Sequence, residues 1–324
     1  MNILYLDLND DNLVEDYSEN PNKYGGGRIF AAAARQIDKN FYIAANKKSF
    51  ENIQDKANCI ETSEDQRSRI TKGERLKDII PNLERFDLFV YHRHDTYLNL
   101  DGLKGKQCCW AVGRDERINQ KIENLLAHNQ QYQNCIIGNN TKIYDIIIGT
   151  KNEGYKEYSK KDYIFQCSRH EPIFGTIQVA MLCKKHNIPA VFAGKIQDGY
   201  PLLDLVDGNL IKYVGLLSET EKASYYKEAL ASTYLHFWQT PFNLSAVESL
   251  SYNTPIIATA NGFWPSFIKE GVNGFIIKDE EEFLNAIKKC KQINQLNCYE
   301  TSLGYTTEKM IKSFYEVFNY IINK

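Results

Sequence analysis

The sequence lacks several features that mark whole classes of protein. No run approaches the roughly 18 apolar residues that cross a bilayer, and the opening MNILYLDLND has neither a basic stretch nor an apolar run long enough for a signal peptide. Basic residues are not in excess, because the sequence has 39 Lys and Arg residues and 41 Asp and Glu residues. A protein that neutralises phosphates needs a basic face. We therefore expect a cytoplasmic protein without nucleic-acid partners, which could make peripheral contact with the inner face of the membrane.

Cysteine spacing that would indicate a metal knuckle or a disulfide framework is also missing. The chain has eight cysteines, but they show no close, repeated spacing, and Cys108 and Cys109 are adjacent, which is an awkward geometry for a bridge. We interpret them as reduced thiols. Neither a metal site nor a bound cofactor is expected.

The length of the chain suffices for two domains. It has 324 residues, of which 43% are hydrophobic and 25% charged, so each half can bury a core of its own. The segment 150–162, TKNEGYKEYSKKD, is polar and rich in Gly and Lys, which indicates a linker. We expect one domain at 1–155 and a second at 156–305, followed by an amphipathic helix at 306–324. The oligomeric state stays open.

The stretch Thr240–Gly262 says most about function. Leu244, Val247 and Leu250 recur at helical spacing, and the apolar run after Pro255 is typical of a strand covered on both faces. A helix that begins at residue 243 or 244 would direct its free N–H groups at an anion, so the backbone of 243–245 could hold a phosphate. Glu248 lies one turn further and could accept two hydrogen bonds from the vicinal hydroxyls of a sugar, so the segment could form a nucleotide site. An ordinary crossover helix with a solvated Glu is the alternative.

Three other segments predict local structure. Gly25, Gly26 and Gly27 precede a helix at about 28–37, in the order strand, glycine loop, helix that binds phosphates; a plain tight turn is the alternative. A further amphipathic helix is expected at 119–129. Another is expected at 219–231, where Ser218 and Glu221 form a capping box, followed by a strand at 234–238.

Polar residues also follow the predicted strand 86–91, FDLFVY. His92, Arg93, His94 and Asp95 come at its carboxyl end, where open α/β sheets bind ligands. His92 and His94 could bind an acceptor, and the group could equally be a solvated turn with a helix N-cap. Both interpretations stay open.

The stretch from Thr240 onward resembles the donor-binding motif of retaining GT-B glycosyltransferases of family 4, which reads Glu-Pro-Phe-Gly-Leu, three residues, Glu-Ala, then Gly-Thr-Pro-Val-Val-Ala-Thr. Matching positions extend through the helix and strand, and EGVNGFII at 270–277 resembles a further family segment. The matching residues are Pro241, Phe242, Leu244, Glu248, Thr254, Pro255, Ala258, Thr259 and Gly262.

This resemblance implies an α/β protein of GT-B fold, with two Rossmann-like doubly wound domains facing a cleft and the last helix packed back on the first domain. It implies transfer of a sugar from a nucleotide-sugar donor to a carbohydrate, lipid-linked or protein acceptor, with retention. No Asp-X-Asp triplet occurs, which fits donor binding without a metal. The candidate catalytic residues are Arg169, Glu248, Lys195, Arg114 and Asp115. The candidate donor-binding residues are Gly25, Gly26, Gly27, Thr240, Phe242, Asn243, Leu244, Ser245, Tyr213 and Gly215.

Several positions depart from the family pattern, among them Asn243, where relatives have a Gly. Thr240 stands where relatives have a Glu that contacts the sugar, Phe174 where they have a Lys that holds the diphosphate, and Arg114 where many have a His. Lys195 is the candidate that compensates for the lost Lys, with an exposed loop lysine as the alternative. The departures keep two other functions open, a non-catalytic sugar-nucleotide-binding or partner subunit and a sugar-nucleotide epimerase.

Overall fold

The structure is a computed structural model that describes residues 1–8, 26–50, 57–91, 97–110, 119, 121–128 and 140–324, with the backbone alone at 26–29, 31, 32, 48 and 49. Contacts divide the chain into two compact units. The first comprises Met1–Gly149 and Thr307–Lys324, and the second Thr150–Thr306. Within the described ranges, no helix is both long and apolar enough to cross a membrane.

The described part of the first unit contains a seven-stranded parallel sheet in the order β3-β2-β1-β4-β5-β6-β7. The strands are β1 Ile3–Leu6, β2 Phe41–Ala45, β3 Cys59–Glu61, β4 Leu88–Tyr91, β5 Lys106–Trp110, β6 Asn124–Ala127 and β7 Lys142–Asp145. The helices are α1 Gly26–Ile37, α2 Glu64–Thr71 and α9 Thr307–Asn323. The expected helix after the glycine loop is thus confirmed as α1.

The last helix of the chain completes the core of this first unit. Phe314 of α9 is fully buried and stacks on Phe30 of α1, with ring centroids 4.0 Å apart, and it meets Trp110 of β5 edge-on at 4.7 Å. Lys106 donates from Nζ to the carbonyl of Ile321 at 2.9 Å, which satisfies an acceptor that the helix end leaves free. The final helix is therefore an integral layer of the first unit.

The helix expected at 119–129 is wrong over its described part. The N–H of Ile122 donates to the carbonyl of Asn119 in a turn, and Asn124–Ala127 is strand β6, paired with both β5 and β7. Leu125, Leu126 and Ala127 are buried in succession. A strand covered on both faces carries a continuous apolar run, which spacing alone does not distinguish from a helix.

The second unit contains a six-stranded parallel sheet in the order β10-β9-β8-β11-β12-β13. Its strands are β8 Ile164–Cys167, β9 Ala190–Ala193, β10 Ile211–Tyr213, β11 Ala231–Tyr234, β12 Ile256–Thr259 and β13 Gly274–Ile277. Its helices are α3 Thr176–Lys185, α4 Glu219–Glu228, α5 Leu244–Ser251, α6 Trp264–Phe267, α7 Glu280–Cys290 and α8 Gln295–Ser302.

Helices α3 and α5 lie on opposite faces of this sheet. Ile257 packs in one core cluster with Val179 and Ala180 of α3, whereas its neighbours Ile256 and Ala258 pack in another with residues of α5. Successive strand residues point to opposite faces. The chain therefore leaves the adjacent strands β8 and β11 in opposite directions.

The boundary between α4 and β11 is corrected by three residues. The capping box at Ser218 and Glu221 is confirmed, with the Ser218 side chain accepting from the Glu221 N–H and the Glu221 carboxylate accepting from the Ser218 N–H at 2.8 Å. The helix ends at Glu228, however, and the strand is Ala231–Tyr234 rather than 234–238. Ser232 is polar, which hides a buried strand from a hydropathy pattern, and its hydroxyl accepts from Ser249 of α5 at 2.8 Å.

Removing the aromatic contact between the first and last helices tests the packing of α9. We expect Phe314→Ala to lower the unfolding free energy by about 3–5 kcal/mol, because a fully buried ring leaves a cavity. Tyr320→Ala on the same helix, where the side chain is largely exposed, should cost about 0.5 kcal/mol or less. Urea unfolding followed by tryptophan fluorescence measures both, and equal losses would contradict this packing.

Candidate functional site

The loops after β8 and β11 form the centre of the candidate site. In an open parallel sheet, ligands bind outside the carboxyl ends of the strands where the order reverses, and β8 and β11 flank that point here. The Phe237 N–H donates to the carbonyl of Ile173 at 2.9 Å, which joins the two loops. Gly175 has φ +65°, and a Cβ there would lie 2.0 Å from the carbonyl oxygen of Leu235. Only glycine permits this approach.

Helix α5 begins at this edge as the sequence predicts. Asn243 is its N-cap, and the side chain accepts from the Ala246 N–H at 3.0 Å. Leu244 and Ser245 are the first two helical residues, whose N–H groups have no partner within a helix. Phe242 anchors the loop through ring contacts with Phe263 and Tyr305. The helix terminus therefore offers a fixed pair of N–H donors with a positive partial charge.

Two cationic residues take opposing backbone positions next to the β8 loop. Pairing of Cys167 with Ala193 continues to a bridge between His170 and Ile196, and this register sets Arg169 opposite Lys195. Register partners in neighbouring strands are about 5 Å apart and share a face. The Lys195 side chain is exposed, and the structure gives its ammonium no partner among the described residues. The sequence predicted both residues for the site but not that they are neighbours.

Arg169 rests on the ring that replaces the expected lysine. Its side chain is 69% exposed, its Nε lies 3.3 Å from Glu171, and its guanidinium carbon lies 5.3 Å from the centre of the Phe174 ring. Phe174 is buried and meets His236 edge-on at 5.1 Å. Phe174 therefore supplies no charge, but its ring packs against the Arg169 guanidinium.

Thr240 is turned into the protein. Its side chain is 1% exposed and lies 2.5 Å from Nδ1 of His236. Gly262, with φ +72°, allows the Thr240 backbone to pass where a Cβ would lie 2.2 Å from the Thr240 oxygen. The Thr240 side chain therefore offers no exposed hydroxyl for the expected contact with the donor. It instead fixes the loop before α5.

Glu248 is buried against helix α4. It is 5% exposed, and Nζ of Lys222 lies 3.0 Å from each of its carboxylate oxygens. The contact with Oε1 is a hydrogen bond, whereas Oε2 is in ion-pair contact with Lys222 and is buried without a hydrogen bond. Burial raises the pKa of Glu248, and the Lys222 charge opposes this effect.

The remaining donor-side candidates lie at the end of β10. The Tyr213 hydroxyl donates to the Gly194 carbonyl at 2.7 Å, and the Gly194 N–H donates to the Gly215 carbonyl at 2.8 Å. These bonds fix the loops after β9 and β10 to each other.

Several candidates in the first unit are outside the described structure. Gly26 and Gly27 begin α1. Gly25, His92, His94, Arg114 and Asp115 lie outside the described residues. Among the residues that are described, no group of three or more His, Cys, Asp or Glu side chains could hold a metal ion.

Sequence patterns missed the buried polar partners of this site. Lys222 follows Glu219 by three residues, which suggests an ordinary surface pair, but Lys222 is buried between Glu219 and Glu248. His170 is buried with Nδ1 near the Thr176 hydroxyl and Nε2 near the Ala193 carbonyl. Burial lowers the pKa of His170 to about 4 and that of His236 to about 3. Both rings are neutral parts of the framework.

Acid should destabilise the second unit through these two rings. Their folded pKa values lie below the unfolded value of 6.5, so the unfolded chain binds more protons and stability falls as the pH drops from about 6.5 towards 4. Each ring contributes roughly 1 kcal/mol per pH unit in that window. Urea titrations at several pH values should give a flatter profile for His236→Gln. Equal slopes in variant and wild type would contradict the buried neutral state.

Comparisons with known proteins show which family this part of the chain resembles. Residues 148–301, just under half of the chain, match the family described as Glycosyl transferases group 1. The matched range contains both loops, α4 and α5. No curated protein is similar enough in sequence to count as a relative.

Solved structures share the fold over the whole chain. Sucrose-phosphate synthase (tll1590) from Thermosynechococcus elongatus has a TM-score of 0.74 at 13% identity, with 100% of each chain covered. AviGT4, a glycosyltransferase involved in avilamycin A biosynthesis, has 0.71 at 13%, covering 99% of this chain and 98% of its own. Anabaena Alr3699/HepE in complex with UDP has 0.67 at 14%, covering 99% and 100%. Residues 148–301 thus match glycosyl transferases group 1, and the chain shares the GT-B fold of these glycosyltransferase structures.

Proposed function

We propose that the protein transfers a sugar from a nucleotide-sugar donor to a hydroxyl acceptor, with retention and without a metal ion. The observation that carries this proposal is the grouping of the α5 N-terminus with Arg169 and Lys195 at the strand-order reversal of the second sheet. Donor N–H groups and two cations are suited to a diphosphate, the leaving group of such a reaction.

The diphosphate would be held at two ends. The N–H groups of Leu244 and Ser245 would donate to one phosphate, and Arg169 and Lys195 would neutralise the charge that develops as the bond from the sugar C1 to the diphosphate breaks. A new bond then forms between C1 and the acceptor oxygen, whose proton is released. Lys195 thereby supplies the charge that Phe174 lacks. This arrangement stabilises the departing anion without a divalent cation.

The nucleoside would lie towards α4. Glu248 is the candidate for the ribose hydroxyls, because its Oε2 accepts no hydrogen bond in the described structure. Tyr213 and Gly215 would position the loop beside the base. His92 and His94 remain the candidates for the acceptor, with Arg114 and Asp115 near the transferred sugar. The acceptor would be a carbohydrate, a lipid-linked saccharide or a protein.

Binding of nucleoside diphosphates tests the donor site directly. We expect one of UDP, GDP and ADP to raise the unfolding free energy by about 2.7 kcal/mol at a hundredfold excess over its dissociation constant. UDP is the first probe, because Alr3699/HepE was solved with UDP and with UDP-glucose. Binding without release of the nucleotide from any sugar conjugate would favour a non-catalytic binding subunit. Conversion of the donor without an acceptor would indicate an epimerase, and no binding would contradict the proposal.

The two cations should contribute separately to affinity. We expect Arg169→Ala and Lys195→Ala each to weaken binding of the diphosphate by roughly 10- to 150-fold, equivalent to 1.5–3 kcal/mol for a charge-assisted hydrogen bond. The turnover of a sugar donor should fall with them. Lys184→Ala is the matched control, because this exposed lysine lies at the opposite end of α3. Isothermal titration measures all three, and an unchanged affinity in both site variants would exclude this phosphate position.

A further inference from the structure

A buried group of charges links helices α4 and α5. Lys222 of α4 is 9% exposed. Its Nζ lies 2.9 Å from Glu219 of the same helix and 3.0 Å from both oxygens of Glu248 of α5. Two carboxylates thus share one ammonium, and the group carries one net negative charge when all three are ionised.

The two carboxylates are not equivalent. Glu219 is the first residue of α4 and keeps 21% of its side chain exposed, so water and the helix N-terminus both stabilise its charge. Glu248 sits in the second turn of α5 with a side chain only 7% exposed. Burial favours its neutral form, and the ammonium of Lys222 is the only cation that faces it in the described structure.

The other titratable groups around Glu248 are neutral near pH 7. They come from β8, α4, β11 and the end of α5, and burial raises the pKa of each of them. These groups are Cys167, Tyr226, Tyr234 and Tyr252. The ionisation of Glu248 therefore depends on a balance. Lys222 favours the charged form, whereas burial and the charge of Glu219 favour the neutral form.

The charge of Glu248 determines which hydrogen bonds its carboxyl group can make to the ribose hydroxyls. An ionised carboxylate is an acceptor at both oxygens and can receive two hydroxyl donors, whereas a protonated one offers an O–H at one of them. In the structure, Nζ of Lys222 lies 3.0 Å from both oxygens, but only the contact with Oε1 is a hydrogen bond, and Oε2 is a buried acceptor without one. The bond also fixes the direction of the side chain, because Lys222 is itself held by Glu219.

We propose that Lys222 is a positioning residue of the donor site, which keeps Glu248 ionised and orients Oε2, the buried oxygen that lacks a hydrogen bond, for the ribose hydroxyls of the nucleotide. This inference rests on the proposed function, since it assumes that Glu248 meets the ribose. Lys222 acts through Glu248 and does not touch the substrate.

The test compares nucleotide binding in three variants across pH 6 to 9. The probes are whichever of UDP, GDP and ADP the wild-type protein binds best, and its 2′-deoxy form. We expect the wild type to prefer the ribonucleotide by about tenfold or more. In Lys222→Met, the preference should fall to about twofold or less at pH 7. The midpoint of the remaining preference should move up by about one pH unit or more, because an unpaired buried carboxyl stays protonated.

Two further variants separate charge from packing. Lys222→Arg keeps the cation and should keep the preference. Glu219→Gln removes the competing carboxylate, so Lys222 pairs with Glu248 alone and the midpoint should move down. This second variant removes no cation and keeps the test valid if Lys222→Met does not fold. Circular dichroism checks the fold of each protein.

The outcomes distinguish failure of this inference from failure of the proposed function. Loss of ribose preference in Lys222→Met with opposite midpoint shifts in the two variants supports the inference. A wild type that binds the ribonucleotide preferentially, with Lys222→Met and Glu219→Gln unchanged in preference and midpoint, overturns the role of Lys222 and leaves the proposed function standing. A wild type that binds none of the nucleotides overturns both.

Discussion

The structure of the second unit depends on one constraint of parallel sheets. Strands β8 and β11 are hydrogen-bonded neighbours, yet α3 and α5 must cover opposite faces of the sheet. The loops that follow the two strands therefore diverge at the carboxyl edge, and the backbone N–H groups at the start of α5 meet no strand of the sheet. Arg169 and Asn243 lie on these two loops, and Lys195 lies on the loop after β9, which a bridge between His170 and Ile196 joins to the β8 loop. The site follows from strand order more than from any single residue.

The phosphate and sugar ends of this site differ in how far they follow the family pattern. At the α5 terminus, Pro241, Phe242 and Leu244 follow the pattern, and the structure gives that helix an Asn243 N-cap with N–H groups free of helical partners. At the other end, three residues are buried together, Phe174, His236 and Thr240. The Phe174 ring packs against the Arg169 guanidinium and the His236 ring, and Nδ1 of His236 is hydrogen-bonded to the Thr240 hydroxyl. The charges that the pattern loses at 174 and 240 are replaced by packing.

The sequence predicted the parts of the fold that are encoded locally. The capping box of α4, the start of α5 and the apolar strand β12 each depend on residues within one turn or one strand. Strand β6 was predicted as a helix because both faces are buried. The pairing of Lys222 with Glu248 could not be predicted, because it depends on the rotation of α4 about its axis relative to α5. Local spacing does not specify such a rotation.

The most direct measurement of the central claim is a crystal structure of the protein with the nucleoside diphosphate that it binds best. The account predicts a phosphate within hydrogen-bond distance of the Leu244 and Ser245 N–H groups, with Arg169 and Lys195 on its other oxygens. It also predicts a ribose hydroxyl at Oε2 of Glu248. A diphosphate bound at the amino edge of the sheet, or away from α5, would contradict it.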